Sequence, residues 1–136
     1  NPNPMSNEQP RSAVFLNTEQ KMLLGKPKPM SVMVTLADIQ SLIEIALYGG
    51  GDWIEKIRFP DGIKSRDEAV ANMWNNMSYI EFKPWDDPPH PLTIDGILDA
   101  IREEPQMYEG VISGQGDQID ADHILQLALF GEPVFG

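Results

Sequence analysis

Two segments of this chain, 82 residues apart, carry the same helical pattern. Each begins with an aspartate, places apolar residues three and four positions apart, and ends in Ala-Leu-aromatic-Gly. The spacing predicts helices with one apolar face over 36–48 and 121–130. Gly49 and Gly131 can adopt the left-handed conformation that ends a helix. We expect the two helices to pack together in the core, and either a duplication or convergence on a common helix pattern explains the repeat.

Four residues have the side-chain oxygens that cap helix N-termini, namely Thr35, Ser65, Thr93 and Asp120. A carboxylate residue stands three positions after Thr35 and three positions after Ser65, which is the spacing of a capping box. Thr93 predicts a helix over 94–104. Asp120 is expected to cap the last helix, so the chain should contain about four helices.

Shorter apolar or alternating stretches predict strands over 12–16, 52–60, 78–85 and 107–112. A brief helical turn is expected over 18–24, followed by an extended linker at 26–29, because proline does not fit inside a helix. Residues 86–91 are acidic and rich in proline, which predicts a loop. Helices and strands mix without a regular β-α-β rhythm, so the sequence predicts an α+β fold with a small, mainly antiparallel sheet.

A chain of 136 residues predicts one domain. Residues 12–136 should form it, whereas the polar, proline-containing segment 1–11 lacks periodicity and is expected to be a disordered tail. We interpret Met5 as the native start and 1–4 as a remnant of an expression tag. No apolar run in the sequence reaches the roughly 18 residues that span a bilayer. Cysteine is absent, which excludes disulfides and thiolate chemistry, and a cytoplasmic protein is expected.

Negative charge is concentrated towards the C-terminus. The chain has 10 Lys and Arg against 21 Asp and Glu, a net charge of −11. Residues 86–136 hold 11 acidic residues and one basic residue, Arg102, so this segment alone carries −10. It would repel nucleic acid and anionic membranes, and direct binding to either is not expected. A basic protein surface would attract it, although net charge can also serve solubility alone.

The stretch Ile119–Gly136 contains Asp-x-Ile-x-Gln-x-Ala-Leu-Phe-Gly-Glu-x-Val-Phe-Gly. This motif resembles the ending of a family of small, mostly uncharacterised proteins of bacteriophages, prophages and related mobile elements. The helix end at Ala46–Gly50, the following Trp53 and the helix at Leu92–Ile101 resemble the same family. The resemblance covers about residues 32–136 and supplies no catalytic residues. It implies an accessory protein of a mobile element that acts in the cytoplasm of a bacterial host.

Patterns typical of catalysis are missing from the sequence. Its two histidines, His90 and His123, accompany no nucleophile motif, and His90 is expected in an exposed loop. The aspartates at 117–122 do not have the spacing of a calcium loop. Gly114–Gly116 lacks the lysine of a phosphate-binding loop. We therefore expect no enzymatic activity, no metal and no cofactor.

The main hypothesis is an acidic protein that binds and blocks a host protein, such as a nucleic-acid-binding one. Asp95, Asp99 and Glu103 are spaced by four residues, which places them along one face of the third helix. The predicted contact residues are Asp86, Asp87, Asp95, Asp99, Glu103 and Glu104.

A second hypothesis is a protein that binds or sequesters a small ligand such as a nucleotide signal. Basic residues concentrate between positions 56 and 66, and a tryptophan precedes them that could stack on a base, although such rings more often fill a core. The predicted ligand-binding residues are Trp53, Lys56, Arg58, Lys64 and Arg66. A third hypothesis is a homo-oligomer with a structural or assembly role.

Overall fold

A computed structural model describes residues 12–22, 24–49 and 51–135. The predictions for the tail at 1–11, including the start at Met5, lie outside these residues. Within them the strands are β1 (Ala13–Gln20), β2 (Lys28–Thr35), β3 (Ile54–Arg58), β4 (Ile80–Pro84) and β5 (His90–Leu92). The helices are α1 (Leu36–Leu47), α2 (Arg66–Asn76), α3 (Ile94–Glu103), α4 (Pro105–Ser113) and α5 (Gln118–Phe130). This mixture confirms the α+β class, with five helices in the described residues where about four were expected.

The strands form two antiparallel sheets, where the sequence suggested one. β1 and β2 pair along their whole length, with Phe15 opposite Met33. β4 lies between β3 and β5 in the second sheet. One face of the β1–β2 sheet is buried through Leu16, Val32 and Val34, whereas Phe15 and Met33 project from the other face and are exposed.

The central helix is α5, which contacts α1, α3, α4 and β5. Its buried residues include Ala121, Ile124, Leu125 and Leu127, so it is covered on more than one side. The predicted packing of the two repeated helices is confirmed by the contact between α1 and α5. Among the described residues, no helix has both the length and the apolar character needed to cross a bilayer.

Local capping signals locate three helix starts correctly. Thr35 Oγ1 accepts from the Asp38 N–H and Asp38 Oδ2 accepts from the Thr35 N–H, which completes the predicted capping box. Ser65 and Thr93 also cap their helices. The prediction for the last helix was wrong. Its cap is not Asp120 but Asp117, whose Oδ1 accepts from the Asp120 N–H at 3.0 Å, so the helix begins one turn earlier.

The predicted strand at 107–112 is helix α4. Pro105 occupies the first turn, where its missing N–H costs no hydrogen bond, and Gly114 ends the helix in the left-handed conformation with φ of 86°. Tyr108 and Val111 are buried three residues apart on one face. A short apolar run is compatible with both structures, and here the flanking proline and glycine favour the helix.

Pairing between distant segments changes two further predictions. β1 continues to Gln20 through the expected helical turn, because residues 17–20 pair with residues 28–31 of β2. β2 therefore includes Lys28 and Pro29 of the expected linker. Similarly, β5 begins at His90 within the expected loop, because this residue pairs with Phe82 of β4.

Candidate functional site

Helix α3 presents carboxylates along its exposed side. Its apolar residues, Ile94, Ile97, Leu98 and Ile101 among them, are buried. Asp95, Asp99 and Glu103 are exposed and follow one another at four-residue spacing, which is about 6 Å along the helix axis. We call these three residues the acidic α3 face. The structure therefore brings together half of the predicted contact set.

The acidic α3 face keeps most of its negative charge. Asp99 Oδ1 accepts a hydrogen bond from Arg102 Nη1 at 2.7 Å, and both side chains are exposed. An exposed ion pair of this kind is weak and screened by salt. Among the ion pairs of the described residues, none joins this face to a lysine or arginine of residues 12–85. Two uncompensated charges thus remain from three carboxylates and one guanidinium.

The other predicted carboxylates lie elsewhere. Asp86 is exposed in the turn between β4 and β5 with a positive φ of 59°. Asp87 Oδ2 lies 3.1 Å from His90 Nε2. The turn lies before β5, whereas α3 begins after it. The three residues of β5 rise by about 10 Å, and this length separates the turn from the start of α3. Glu104 is half-buried at the junction of α3 and α4.

His90 is not the exposed loop residue that the sequence suggested. It is the first residue of β5, and its side chain is 32% exposed. The ring contacts Phe130 edge-on, with 4.8 Å between the ring centroids. Its packing contact and the neighbouring Asp87 carboxylate hold the ring at the end of α5.

The residues of the predicted nucleotide site differ in how far their side chains are exposed to solvent. Lys56 and Arg58 project from the same side of β3 and are exposed, and Arg58 Nη1 lies 3.8 Å from Glu81 Oε1. Lys64 is exposed and Arg66, at the start of α2, is half-buried. Trp53 is only 9% exposed, so its ring does not offer a free surface for a base.

Trp53 instead belongs to an aromatic cluster of the chain itself. Phe135 stacks on it with 5.2 Å between centroids and 2° between ring planes, and Phe130 packs edge-on at 5.7 Å. The indole Nε1 donates to Asp122 Oδ1 at 2.8 Å. The C-terminal segment therefore covers the ring that the sequence suggested as a base-stacking surface.

A buried glutamine holds this C-terminal segment in place. Gln126 is 1% exposed. Its Oε1 accepts from the N–H groups of Val134 and Phe135, each at 2.8 Å. Its Nε2 donates to the Phe135 carbonyl at 3.1 Å and to Asp122 Oδ2 at 2.7 Å. We call these contacts the Gln126 clamp. They give the Gln and the Val-Phe of the C-terminal motif a structural role.

A groove of about 560 Å³ lies where the β1–β2 sheet meets α4 and the loop after it. Tyr108 is part of its wall, is 1% exposed, and has a buried hydroxyl without a hydrogen-bond partner in the described residues. Burial raises the pKa of Tyr108, and the carboxylates of Asp38 and Glu109 raise it further. The phenol is therefore neutral at physiological pH. We call this feature the Tyr108 groove.

Sequence reasoning missed the Tyr108 groove because it placed 107–112 in a strand. The proline at 105, the glycine at 114 and the spacing of Tyr108 and Val111 were the signals that could have located the helix. A correct helix prediction would still not have located the groove, because its opposite wall comes from strands about 80 positions earlier in the chain.

The two surface features offer different chemistry. The acidic α3 face offers carboxylates to a basic partner, and the Tyr108 groove offers amides and thioethers to a small molecule. In residues 12–22, 24–49 and 51–135, no group of three or more His, Asp or Glu side chains is arranged to hold a metal ion. No protein-family model, curated protein or solved structure matches the chain.

Proposed function

We propose that this protein binds a basic surface of another protein through the acidic α3 face and blocks that surface. The observation that carries the proposal is the alignment of Asp95, Asp99 and Glu103 on one exposed face, within a segment whose only basic residue is Arg102. In the mobile-element context that the C-terminal motif suggests, the partner is a nucleic-acid-binding protein of the bacterial host.

The sign of the charges supports this class of partner. The face presents one carboxylate per about 6 Å of helix axis, a lower charge density than the one phosphate per about 3.4 Å of axis on a DNA strand. Lysines and arginines that bind phosphates form the same charge-assisted hydrogen bonds with carboxylates. Contacts of this kind steer association and determine which partner binds. They weaken with salt, because the screening length falls from about 10 Å at 0.1 M to about 3 Å at 1 M.

A charge-matched pair of variants tests the proposal. The face variant combines Asp95→Asn, Asp99→Asn and Glu103→Gln. The control variant combines Glu19→Gln, Glu44→Gln and Asp61→Asn, which are exposed elsewhere. Each removes three negative charges and changes the net charge from −11 to −8.

Each form is used to capture proteins from a bacterial lysate, and the captured protein is then purified for titration with and without DNA. We expect the face variant to bind at least about tenfold more weakly and the control to stay within about twofold of the original protein. DNA should compete, and binding should weaken steeply between about 0.1 and 0.5 M salt. Equal affinity of the two variants, or binding that ignores salt, would contradict the proposal.

The two other hypotheses stay predictions with separate tests. Calorimetry with nucleotides tests the second, for which the exposed positions of Lys56 and Arg58 on one side of β3 are the favourable observation. Heat that disappears in Lys56→Gln and Arg58→Gln would favour it. A sizing column tests the homo-oligomer, and a monomer at high concentration would eliminate it.

A further inference from the structure

We propose that the edge of β1 that faces away from β2 pairs with β1 of a second copy of the chain. The pairing joins two β1–β2 sheets into one four-stranded antiparallel sheet, with a two-fold axis at Leu16. This interface is separate from the acidic α3 face. It goes beyond the function proposed above and gives the homo-oligomer hypothesis a defined surface.

The register of β1 and β2 shows which backbone groups of β1 point away from β2. In an antiparallel pair, residues that exchange hydrogen bonds alternate with residues whose N–H and C=O groups point outward. Pro29 has no N–H, and the N–H of Thr35 donates to Asp38 Oδ2 at 3.2 Å. Both residues therefore stand in pairs that exchange no hydrogen bonds. Opposite them and between them, the outward-pointing residues of β1 are Ala13, Phe15, Asn17 and Glu19.

The two edges of this sheet differ in their protection against pairing. Natural proteins place lysine and proline on edge strands to prevent pairing, and β2 begins with Lys28 and Pro29. Since the N–H of Thr35 is also occupied, the outward N–H groups left on β2 are those of Ser31 and Met33. β1 contains neither lysine nor proline. Its outward N–H and C=O groups bond no other backbone group of the described residues.

The side chains on the outer face of this sheet are apolar and exposed. Phe15 is 68% exposed, and Met33 opposite it is 53% exposed. When Leu16 lies opposite its own copy, the two Phe15 rings are diagonal neighbours on one face of the joined sheet. Burial of these rings adds a hydrophobic driving force to the backbone hydrogen bonds.

The charge of β1 allows two acidic molecules to meet at this edge. Each copy carries a net charge of −11, so two copies repel each other at a distance. Glu19 is the one charged residue of β1. The register centred on Leu16 places it opposite Ala13 of the second copy, not opposite a second carboxylate. No like charges are therefore paired directly across the two strands.

The size of the contact predicts a weak dimer. The outward residues of the two strands form pairs that each exchange two hydrogen bonds, but one strand edge is smaller than the roughly 800 Å² per partner of a standard interface. We expect a dissociation constant on the order of 100 µM. The dimer is therefore expected at high protein concentration and absent at low concentration.

Analytical ultracentrifugation between about 10 µM and 1 mM protein measures the association. The dimer fraction should rise with concentration, and it should be higher in about 0.5 M salt than in about 0.05 M salt, because salt screens the repulsion between the copies. The acidic α3 face predicts the opposite effect of salt on its partner, so the two proposals fail independently. A monomer at about 1 mM in high salt, or a dimer that salt dissociates, would overturn this one.

A matched pair of proline variants tests which edge pairs. Asn17→Pro removes an outward N–H of β1 and leaves the hydrogen bonds to β2 in place. Ser31→Pro is the control, because Ser31 lies opposite Asn17 and loses an outward N–H on the other edge. Asn17→Pro should weaken dimerisation at least about tenfold and Ser31→Pro less than about twofold. Equal effects of the two variants would refute the interface.

Amide hydrogen exchange in the unaltered protein keeps the test valid if a variant folds poorly. The amides of Phe15, Asn17 and Glu19 should exchange at least about threefold more slowly at 1 mM than at 20 µM protein. Those of Ser31 and Met33 should exchange at the same rate at both concentrations. Protection of the β1 amides that does not change with concentration would show pairing within one chain and would contradict the proposal.

Discussion

Replacement of Gln126 by leucine tests whether the C-terminal segment contributes to the stability of the whole domain. The substitution places an apolar side chain of similar size in a position that is 1% exposed. It removes four hydrogen bonds, to Val134 N, Phe135 N, Phe135 O and Asp122 Oδ2. At about 0.5–1.5 kcal/mol net per bond, the sum is about 2–6 kcal/mol. Water can reach the released groups in part, because Val134 is exposed.

We therefore expect Gln126→Leu to lower the free energy of unfolding by about 2–3 kcal/mol. For a domain of this size that corresponds to a melting temperature lower by roughly 8–12 °C. Urea unfolding, followed by tryptophan fluorescence and by circular dichroism, measures the change. Trp53 should also move to a more polar environment in the folded state, because Phe135 no longer stacks on it.

Gln40→Leu is the matched control. Gln40 lies on α1 and its Nε2 makes one exposed hydrogen bond, to the Asp67 carbonyl, so a loss below about 1 kcal/mol is expected. A destabilisation by Gln126→Leu no larger than that of Gln40→Leu would refute the reasoning. It would mean that the segment around Phe135 makes the contacts without stabilising the fold.

Three further changes probe the packing, a cap and a buried phenol. Gly96→Ala should destabilise the domain by about 1–3 kcal/mol in urea unfolding, because a Cβ there would lie 2.7 Å from the Ala128 carbonyl oxygen of α5. A loss below about 0.5 kcal/mol would show that the helices separate easily. Thr35→Ala should lose about 1 kcal/mol in the same measurement, since it removes the capping box, and no loss would contradict the capping role. Tyr108→Phe should leave the thermal stability at neutral pH unchanged or higher, because the lost hydroxyl has no partner. The raised pKa of Tyr108 means that the folded state keeps a proton that the unfolded chain releases above pH 10.0. Stability should therefore fall as the pH rises beyond that value, and less so in Tyr108→Phe.

The sequence predicted best what depends on neighbouring residues. Helix α1 was expected at 36–48 and spans Leu36–Leu47, because its capping box and its closing glycine act within one turn of the chain. By contrast, β1 and β5 extend through segments that have turn or loop character on their own. Pairing with β2 and β4 decides their structure, and a single sequence does not show which segments will pair.

The same distinction applies to the candidate site. Asp95, Asp99 and Glu103 share an exposed face because the period of one helix places them there, which the sequence could show. For Trp53 the sequence left a core position and a base-stacking surface open, and it could not show that Phe135, 82 residues later, covers the ring. The Tyr108 groove depends on segments distant in the chain and on a helix that resembled a strand.

The Gln126 clamp also determines how the protein would respond to shortening from its C-terminal end. A single side chain bonds both the N–H and the carbonyl of Phe135, and the same residue supplies the ring against Trp53. Stepwise removal of residues by an exopeptidase would therefore have an abrupt effect on these contacts. Digestion that spares Phe135 would leave the indole covered. Removal of Phe135 would break four contacts together, namely two hydrogen bonds to Gln126 and the ring contacts with Trp53 and Phe130.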